Sequence, residues 1–174
     1  YDTNTELRLT DTAGEDWFVT KSTSTGGAHN YSVNVFSTQA FRASVIGAFE
    51  PHPYGAERWD IGGLHDPVTN NSRLTVPPGG AGIWSVWFNS EFKQREAIGN
   101  RTILRIMING SALRGVEDDP GSTSHNTAAS YYGEYDLSSG DYVEAGLWVN
   151  NSDEGTYADS NTSGFGMDWL RSTP

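Results

Sequence analysis

Two histidines and three carboxylates crowd one stretch of the chain: Glu50, His52, Asp60, His65 and Asp66. Imidazoles beside carboxylates are the residue types that hold a transition metal or exchange protons in acid–base catalysis. Their spacing fits no recognised motif, and Pro51, Pro53 and Pro67 put them on irregular backbone. The commoner role for a His-Asp pair in such a loop is hydrogen bonding to its own turn, as Asx turns do. That is the reading preferred for His65-Asp66.

A second chemistry resides in two acidic runs, Glu117-Asp118-Asp119 and Asp153-Glu154 with Asp159. Clustered carboxylates suit Ca²⁺, which takes six to eight oxygen ligands. Neither run has EF-hand spacing, and a solvated acidic surface is the commoner reading. Asp118, Asp119, Asp153 and Asp159 are the candidate Ca²⁺ ligands, and no other cofactor is expected. Chelation should lower the melting temperature if the ion is bound.

Other chemistries find no residues. There is no cysteine, hence no disulfide, thiolate metal site or thiol nucleophile. No Ser-His-Asp or Gly-x-Ser-x-Gly arrangement appears, and no glycine-rich loop precedes a helix. No catalytic residue is expected, and the chain is read as a non-enzyme. A net charge of −11, from 22 acidic and 11 basic residues, repels phosphate backbones and anionic lipid. No apolar run reaches the roughly 20 residues of a membrane helix. The acidity and the scarcity of lysine fit either a high-salt habitat or a GC-rich host. Trp84, Trp87 and Trp148 could stack on a sugar, but apolar strands around them favour core or subunit interface. Six Asn-x-Ser/Thr sequons, at Asn30, Asn70, Asn100, Asn109, Asn150 and Asn161, permit glycosylation where the host has the machinery.

The elements that must position these residues are strands. The 174 residues include 20 Gly, 7 Pro and 21 aromatics, the composition of short strands punctuated by turns. Residues 1–38 read as an N-terminal β extension or neck, with strands at 7–10, 17–20 and 30–36. It either packs on the main domain or forms a stalk with neighbouring copies. Residues 39–174 read as the main domain, with strands at 40–48, 57–61, 72–76, 82–89, 102–108, 112–114, 127–137, 141–150 and 163–171. The stretch 82–89 is apolar enough to be buried on both faces, and 88–98 comes nearest to a helix. Asn109-Gly110 is a hairpin turn signal. Val143, Ala145, Leu147 and Val149 alternate toward the core.

In an antiparallel meander successive connections lie at opposite ends. The tight turns 77–81, 109–110 and 138–140 then share one end, and the long loops 62–71, 90–100, 116–126 and 151–162 decorate the other. Recognition usually sits on such loops. The expected partner-contacting residues are Phe92, Lys93, Arg95, Asp118, Asp119, Asp153, Glu154 and Tyr157.

Several stretches resemble one superfamily, the complement-1q and tumour-necrosis-factor-like jelly rolls. Gln39-Ala40-Phe41-Arg42-Ala43 is similar to its opening strand. Ser72-Arg73-Leu74-Thr75-Val76-Pro77, then Gly79, Gly82 and Ile83-Trp84, resembles its strand, Val-Pro, glycine, aromatic-strand passage. Leu137 with Gly140-Asp141-Tyr142-Val143 resembles a later turn and strand, and Asn161 to Phe165 with Trp169-Leu170 its closing strand. Trp59-Asp60-Ile61-Gly62-Gly63-Leu64-His65-Asp66-Pro67, followed by Ser72-Arg73-Leu74, is similar to copies in tailed-virus structural proteins.

The resemblance implies an all-β, antiparallel jelly-roll sandwich of about ten strands assembled as a compact homotrimer, without enzymatic activity. Residues 1–38 are not a collagen-like Gly-X-Y stalk, which favours a virion or cell-surface fibre over a complement role, and the virion is the preferred setting. Such a protein would be a tail-fibre tip, spike or capsid decoration, contacting other virion proteins and a host receptor or glycan. Neither nucleic-acid binding nor membrane insertion is expected. A secreted or cell-surface lectin-like adhesion module is the second reading, and a fibre hydrolase the third. Because the chain opens with Tyr1, it is expected to be a processed product or a piece of something longer.

Overall fold

A computed structural model describes residues 30–93, 101–118, 127–150, 155–156 and 163–173, together with the backbone of 6–10 and 16–20. Every regular element among them is a β-strand. Strands β1 (Glu6–Thr10) and β2 (Asp16–Thr20) form an antiparallel hairpin of their own. The rest divides into two antiparallel sheets.

The larger sheet contains β3 (Ser32–Phe36), β4 (Phe41–Arg42), β6 (Ala56–Ile61), β8 (Gly82–Lys93), β11 (Thr127–Leu137), β13 (Gly155–Thr156) and β14 (Gly164–Arg171). Across its width the order is β11, β8, β14, β3, β6. Strand β13 pairs with β8 at Phe92 and Lys93, and β4 pairs with β13. The smaller sheet contains β5 (Glu50–Pro51), β7 (Arg73–Thr75), β9 (Thr102–Ile108), β10 (Ser111–Asp118) and β12 (Tyr142–Val149).

Period-two alternation decides which faces meet. Trp84, Val86 and Phe88 of β8, Phe165 and Met167 of β14, and Val33 and Val35 of β3 point inward from the larger sheet. Leu74, Leu104, Ile106, Val143, Ala145, Leu147 and Val149 face them from the smaller one, all fully buried. The four β12 residues expected in the core are there. The Asn109-Gly110 turn also forms as expected, with φ of 50° and 79°, the left-handed pair that matches strand twist.

Several expectations need correction. Residues 40–48 are not one strand: only Phe41–Arg42 is, and 44–48 turn with Val45 and Ile46 exposed. The Glu50 carboxylate ties this turn, accepting from the Val45 amide and the Ser44 hydroxyl. Alternating apolar and polar residues there imitate a strand that local hydrogen bonding overrides. The helical candidate at 88–98 is extended through Lys93, because β8 pairs with β11 as far as Phe92 and with β13 through Lys93. Strand β10 runs to Asp118, well beyond 112–114. The strand read at 30–36 as part of the extension lies inside the larger sheet, between β14 and β6. It pairs directly with the closing strand β14.

The expected division of ends holds in part. Asp118 and Val149 both pair with Thr102, and Thr127 pairs with Phe92, so the connections 94–101, 119–126 and 150–163 leave from one end. The loop 62–71 does not. Ile61 pairs with Ser32, and Gly62 packs on Tyr31, whose hydroxyl donates to the carbonyl of Pro78 in the opposite-end turn. Parity fails because β6 and β7 belong to different sheets, so their connection crosses the side of the sandwich.

Candidate functional site

The outward face of the larger sheet carries a row of side chains that no single strand reveals. Tyr132 pairs with Trp87, Trp87 with Gly166, Gly166 with Asn34, and Asn34 with Trp59. Trp87, Gly166 and Asn34 alternate with core residues on their own strands, and directly paired residues lie on the same face, so all five share the outer face. The next row reads Glu134, Ser85, Asp168, Ser32 and Ile61. Tyr132 is 59% exposed, Trp59 46% and Ile61 53%, although all are large and apolar.

Local bonds hold this face in shape. The Trp59 indole donates to Ser32 Oγ at 2.9 Å, and Ser32 donates to Asp168 Oδ1 at 2.5 Å. The Tyr132 hydroxyl donates to Glu134 Oε1 at 3.3 Å. Trp87 lies against Gly166 and Gly164, which leave it the space a side chain would fill. Asn34 is 9% exposed and its Oδ1 has no donor among the described residues. A buried unpaired acceptor costs about 1–3 kcal/mol. The inner face of β8 is core, and on its outer face Ser85 is buried and Ile83, Trp87 and Asn89 are half-buried, so 82–89 is buried on one face and largely so on the other, close to what its apolar composition suggested.

The three tryptophans singled out by sequence part company. Trp84 is fully buried and donates to the Gly80 carbonyl at 2.8 Å. Trp87 is on the outer face of the larger sheet, and Trp148 is on that of the smaller, with the Arg101 guanidinium 5.9 Å from its ring centre. They form no common sugar platform. Trp59, Ile61, Asn34 and Tyr132 were not singled out. Trp59 and Ile61 share a face of their strand, a readable signal, but which strands lie beside it was not.

The histidine–carboxylate group is dispersed into structural roles. His52 is buried between Phe41 and Tyr54, with ring centres 5.0 and 4.6 Å away. Burial pushes its pKa down to about 4. His65 bridges Glu57 Oε1, 2.8 Å from Nδ1, and the Asn71 carbonyl, 3.1 Å from Nε2. Asp60 accepts the amides of Leu64 and His65, and Asp66 those of Val68 and Thr69. Those two bonds hold the Asp66 carboxyl below its usual range. Burial opposes the charge of Glu50, but the Ser44 and Val45 amides and the Ser44 hydroxyl outweigh it and lower its pKa. No three of these five residues meet as ion ligands. The loop hydrogen bonding expected of His65-Asp66 is what they do.

Of the expected contact residues, the backbones of Phe92 and Lys93 lie at the end of β8 and that of Asp118 at the end of β10, all at the loop-bearing end. Arg95, Asp119, Asp153, Glu154 and Tyr157 lie outside the described residues, as does Asp159 of the candidate Ca²⁺ set.

No protein-family model matches the chain, and no curated protein does. Solved structures do. The globular domain of zebrafish complement 1qA protein superimposes with a TM-score of 0.61 at 14% identity, covering 82% of this chain and 99% of that one. Eiger TNF from S. frugiperda gives 0.61 at 12% identity, covering 83% and 95%. Murine APRIL gives 0.58 at 11% identity, covering 81% and 99%. At such identities the likeness concerns the fold: this chain folds as an all-β jelly roll like the heads of complement 1q and tumour-necrosis-factor proteins.

Proposed function

We propose that the chain is a non-enzymatic, homotrimeric display module of a virion surface: a fibre tip, spike or capsid decoration acting in assembly or host attachment. The observation that carries the trimer is the outer face of the larger sheet, where Tyr132, Trp59 and Ile61 are exposed beside the half-buried Trp87. An aromatic face of this kind on a sheet is a contact surface awaiting a partner, and the partner is a second and third copy of the same chain. Three copies around an axis bring their loop-bearing ends side by side, so weak loop contacts add through effective concentration. The described residues carry no nucleophile–base–orienter set, and their histidines are occupied structurally. The virion setting rests on the likeness of the 59–67 segment to copies in tailed-virus proteins. In the fold that segment is a self-capped crossing loop, with Asp60 holding its amides.

Analytical ultracentrifugation tests the trimer. Three chains of 19.0 kDa sediment as 57 kDa. Trp59→Lys, a charge on the outer face, should return the protein to the monomer mass while it stays folded. A wild-type protein that sediments as a monomer at micromolar concentration overturns the trimer. Mass spectrometry of purified particles tests the setting. Recovery only in the particle-free supernatant would place the same head on a secreted adhesion protein.

A further inference from the structure

Gly146 stands on the outer face of the smaller sheet, between the core residues Ala145 and Leu147. It pairs with Arg105 on the β9 side and with Pro51 on the β5 side. A β-carbon at this point would meet the Met107 sulfur and lie 3.5 Å from Phe49 Cβ, so Met107 and Phe49 border the gap that the glycine leaves. Arg105 uses that gap. Its guanidinium carbon stands 5.2 Å from the centre of the Phe49 ring, although Phe49 leads into β5, across β12 from β9. Gly146 is buried beneath these neighbours, and Arg105 and Phe49 are each half-buried.

The Arg105 guanidinium has no carboxylate partner among the described residues. The carboxylates of the neighbouring strands are engaged elsewhere. Glu144 takes Ser72 and Arg73, Glu117 takes Arg101, and Glu50 takes the Ser44 hydroxyl and the Val45 amide. The Phe49 ring supports the cation, but a half-buried charge without an anion is a cost that the isolated chain carries. The segment before β5 supplies a second feature. It keeps beside β12, since the Gly47 amide donates to the Val149 carbonyl at 2.9 Å. Phe49 lies between that bond and the Glu50–Leu147 pair, which sets it next to Trp148. The same segment carries Val45 and Ile46, 52% and 56% exposed. One corner of the sheet thus combines a guanidinium in want of an anion with exposed aliphatic side chains.

We propose that this corner docks a peptide segment of a partner protein in which an aspartate or glutamate is flanked by aliphatic residues. The carboxylate pairs with Arg105, whose planar fork suits it. The aliphatic neighbours cover Val45 and Ile46, which otherwise meet water. A carboxylated sugar fits this corner less well. Guanidinium groups already stand over both rings, Arg105 at Phe49 and Arg101 at Trp148, and sugar hydroxyls gain nothing against Val45 and Ile46. The smaller sheet faces away from the surface assigned to the trimer, so the proposal does not depend on that assignment.

The test is NMR titration of the whole protein with two peptides capped at both ends, Leu-Asp-Leu and Leu-Asn-Leu, at millimolar concentration. The aspartate peptide should bind saturably and shift the amides of Val45, Ile46, Phe49 and Arg105, with affinity falling as salt rises. The asparagine peptide should bind at least about tenfold more weakly. Arg105→Met keeps an unbranched side chain over Gly146 and should erase the preference for aspartate. Ile46→Ser should weaken both peptides by about fivefold and keep the preference. Arg171→Gln, on the other sheet, should change neither. Equal binding of the two peptides by the wild type, a preference that survives Arg105→Met, or no binding of the aspartate peptide overturns the proposal. So does tighter binding of glucuronate than of the aspartate peptide, which would make the corner a sugar site.

Discussion

Trp87 presses so closely on Gly166 that a β-carbon there would stand 2.5 Å from its Cζ2 and 2.6 Å from the Val33 carbonyl oxygen. The second neighbour is backbone of an adjacent strand, so relief requires the sheet to move as well as the indole. Gly166→Ala should therefore cost about 1–3 kcal/mol, a melting temperature lower by roughly 3–10 °C. Gly146→Ala is the control: the added carbon meets the end of the flexible Met107 side chain, which can turn aside. Calorimetric melts giving equal losses for the two would show that backbone crowding at Gly166 is not what matters.

His52 makes stability depend on pH. Its pKa falls from 6.5 to about 4 in the folded chain because burial excludes the charged ring. Between those values the unfolded chain binds the proton and the folded chain does not, so stability is full above pH 6.5 and declines as pH falls toward 4. The whole span is worth about 3 kcal/mol. Glu50 and Asp66, both lowered, lose their contributions at more acidic pH, as the folded carboxyls protonate. Urea midpoints measured from pH 7 to pH 5 should thus fall in the wild type and stay level in His52→Phe, which keeps a ring between Phe41 and Tyr54. A parallel slope in both proteins would remove His52 as the cause.

Much of this was legible because burial on one face of a sheet writes a period of two into the chain. Val143 to Val149 show it without interruption, and Asn109-Gly110 names its own turn. The misreadings have a common physical origin. Phe41, Ala43 and Val45 alternate with polar residues as in a strand, yet Val45 sits on a turn because the Glu50 carboxylate takes its amide. The stretch 88–93 looks helical until β11 and β13 supply ladders on either side. The crossing loop 62–71 was misplaced because no local signal tells that β6 and β7 enter different sheets. The outer-face row was illegible for the same reason: Tyr132 and Trp59 are 73 positions apart in sequence and are joined only through three intervening strands.

Asn109 does more than turn the β9–β10 hairpin. Its Oδ1 accepts the Tyr142 amide at 3.0 Å and its Nδ2 donates to Asp141 Oδ1 at 2.8 Å, so it ties that hairpin to the start of β12. Asn109→Gly keeps the left-handed backbone but loses both bonds, and should cost about 1 kcal/mol. Asn109→Ala adds the strain of a β-carbon at φ 50°, about 1–2 kcal/mol more. Denaturant melts that rank the alanine variant as the more stable would contradict this division.

The last prediction concerns His65, the residue whose type and neighbours first suggested chemistry. Its side chain is fully buried and both ring nitrogens face oxygen, Glu57 Oε1 on one side and the Asn71 carbonyl on the other. It thereby joins β6 to the residues just before β7, across the loop that changes sheets. His65→Leu fills the space but leaves the Glu57 carboxylate without its partner, while the Asn71 carbonyl keeps the amide of Tyr54. The loss should be about 2–3 kcal/mol, weighted toward the charged side, and Glu57→Gln should cost less because an amide oxygen still faces Nδ1. A structural histidine of this kind gives no response to metal, so micromolar Zn²⁺ should leave the wild-type melt unchanged. A melting temperature raised by Zn²⁺ in the wild type but not in His65→Leu would return His65 to the metal ligands.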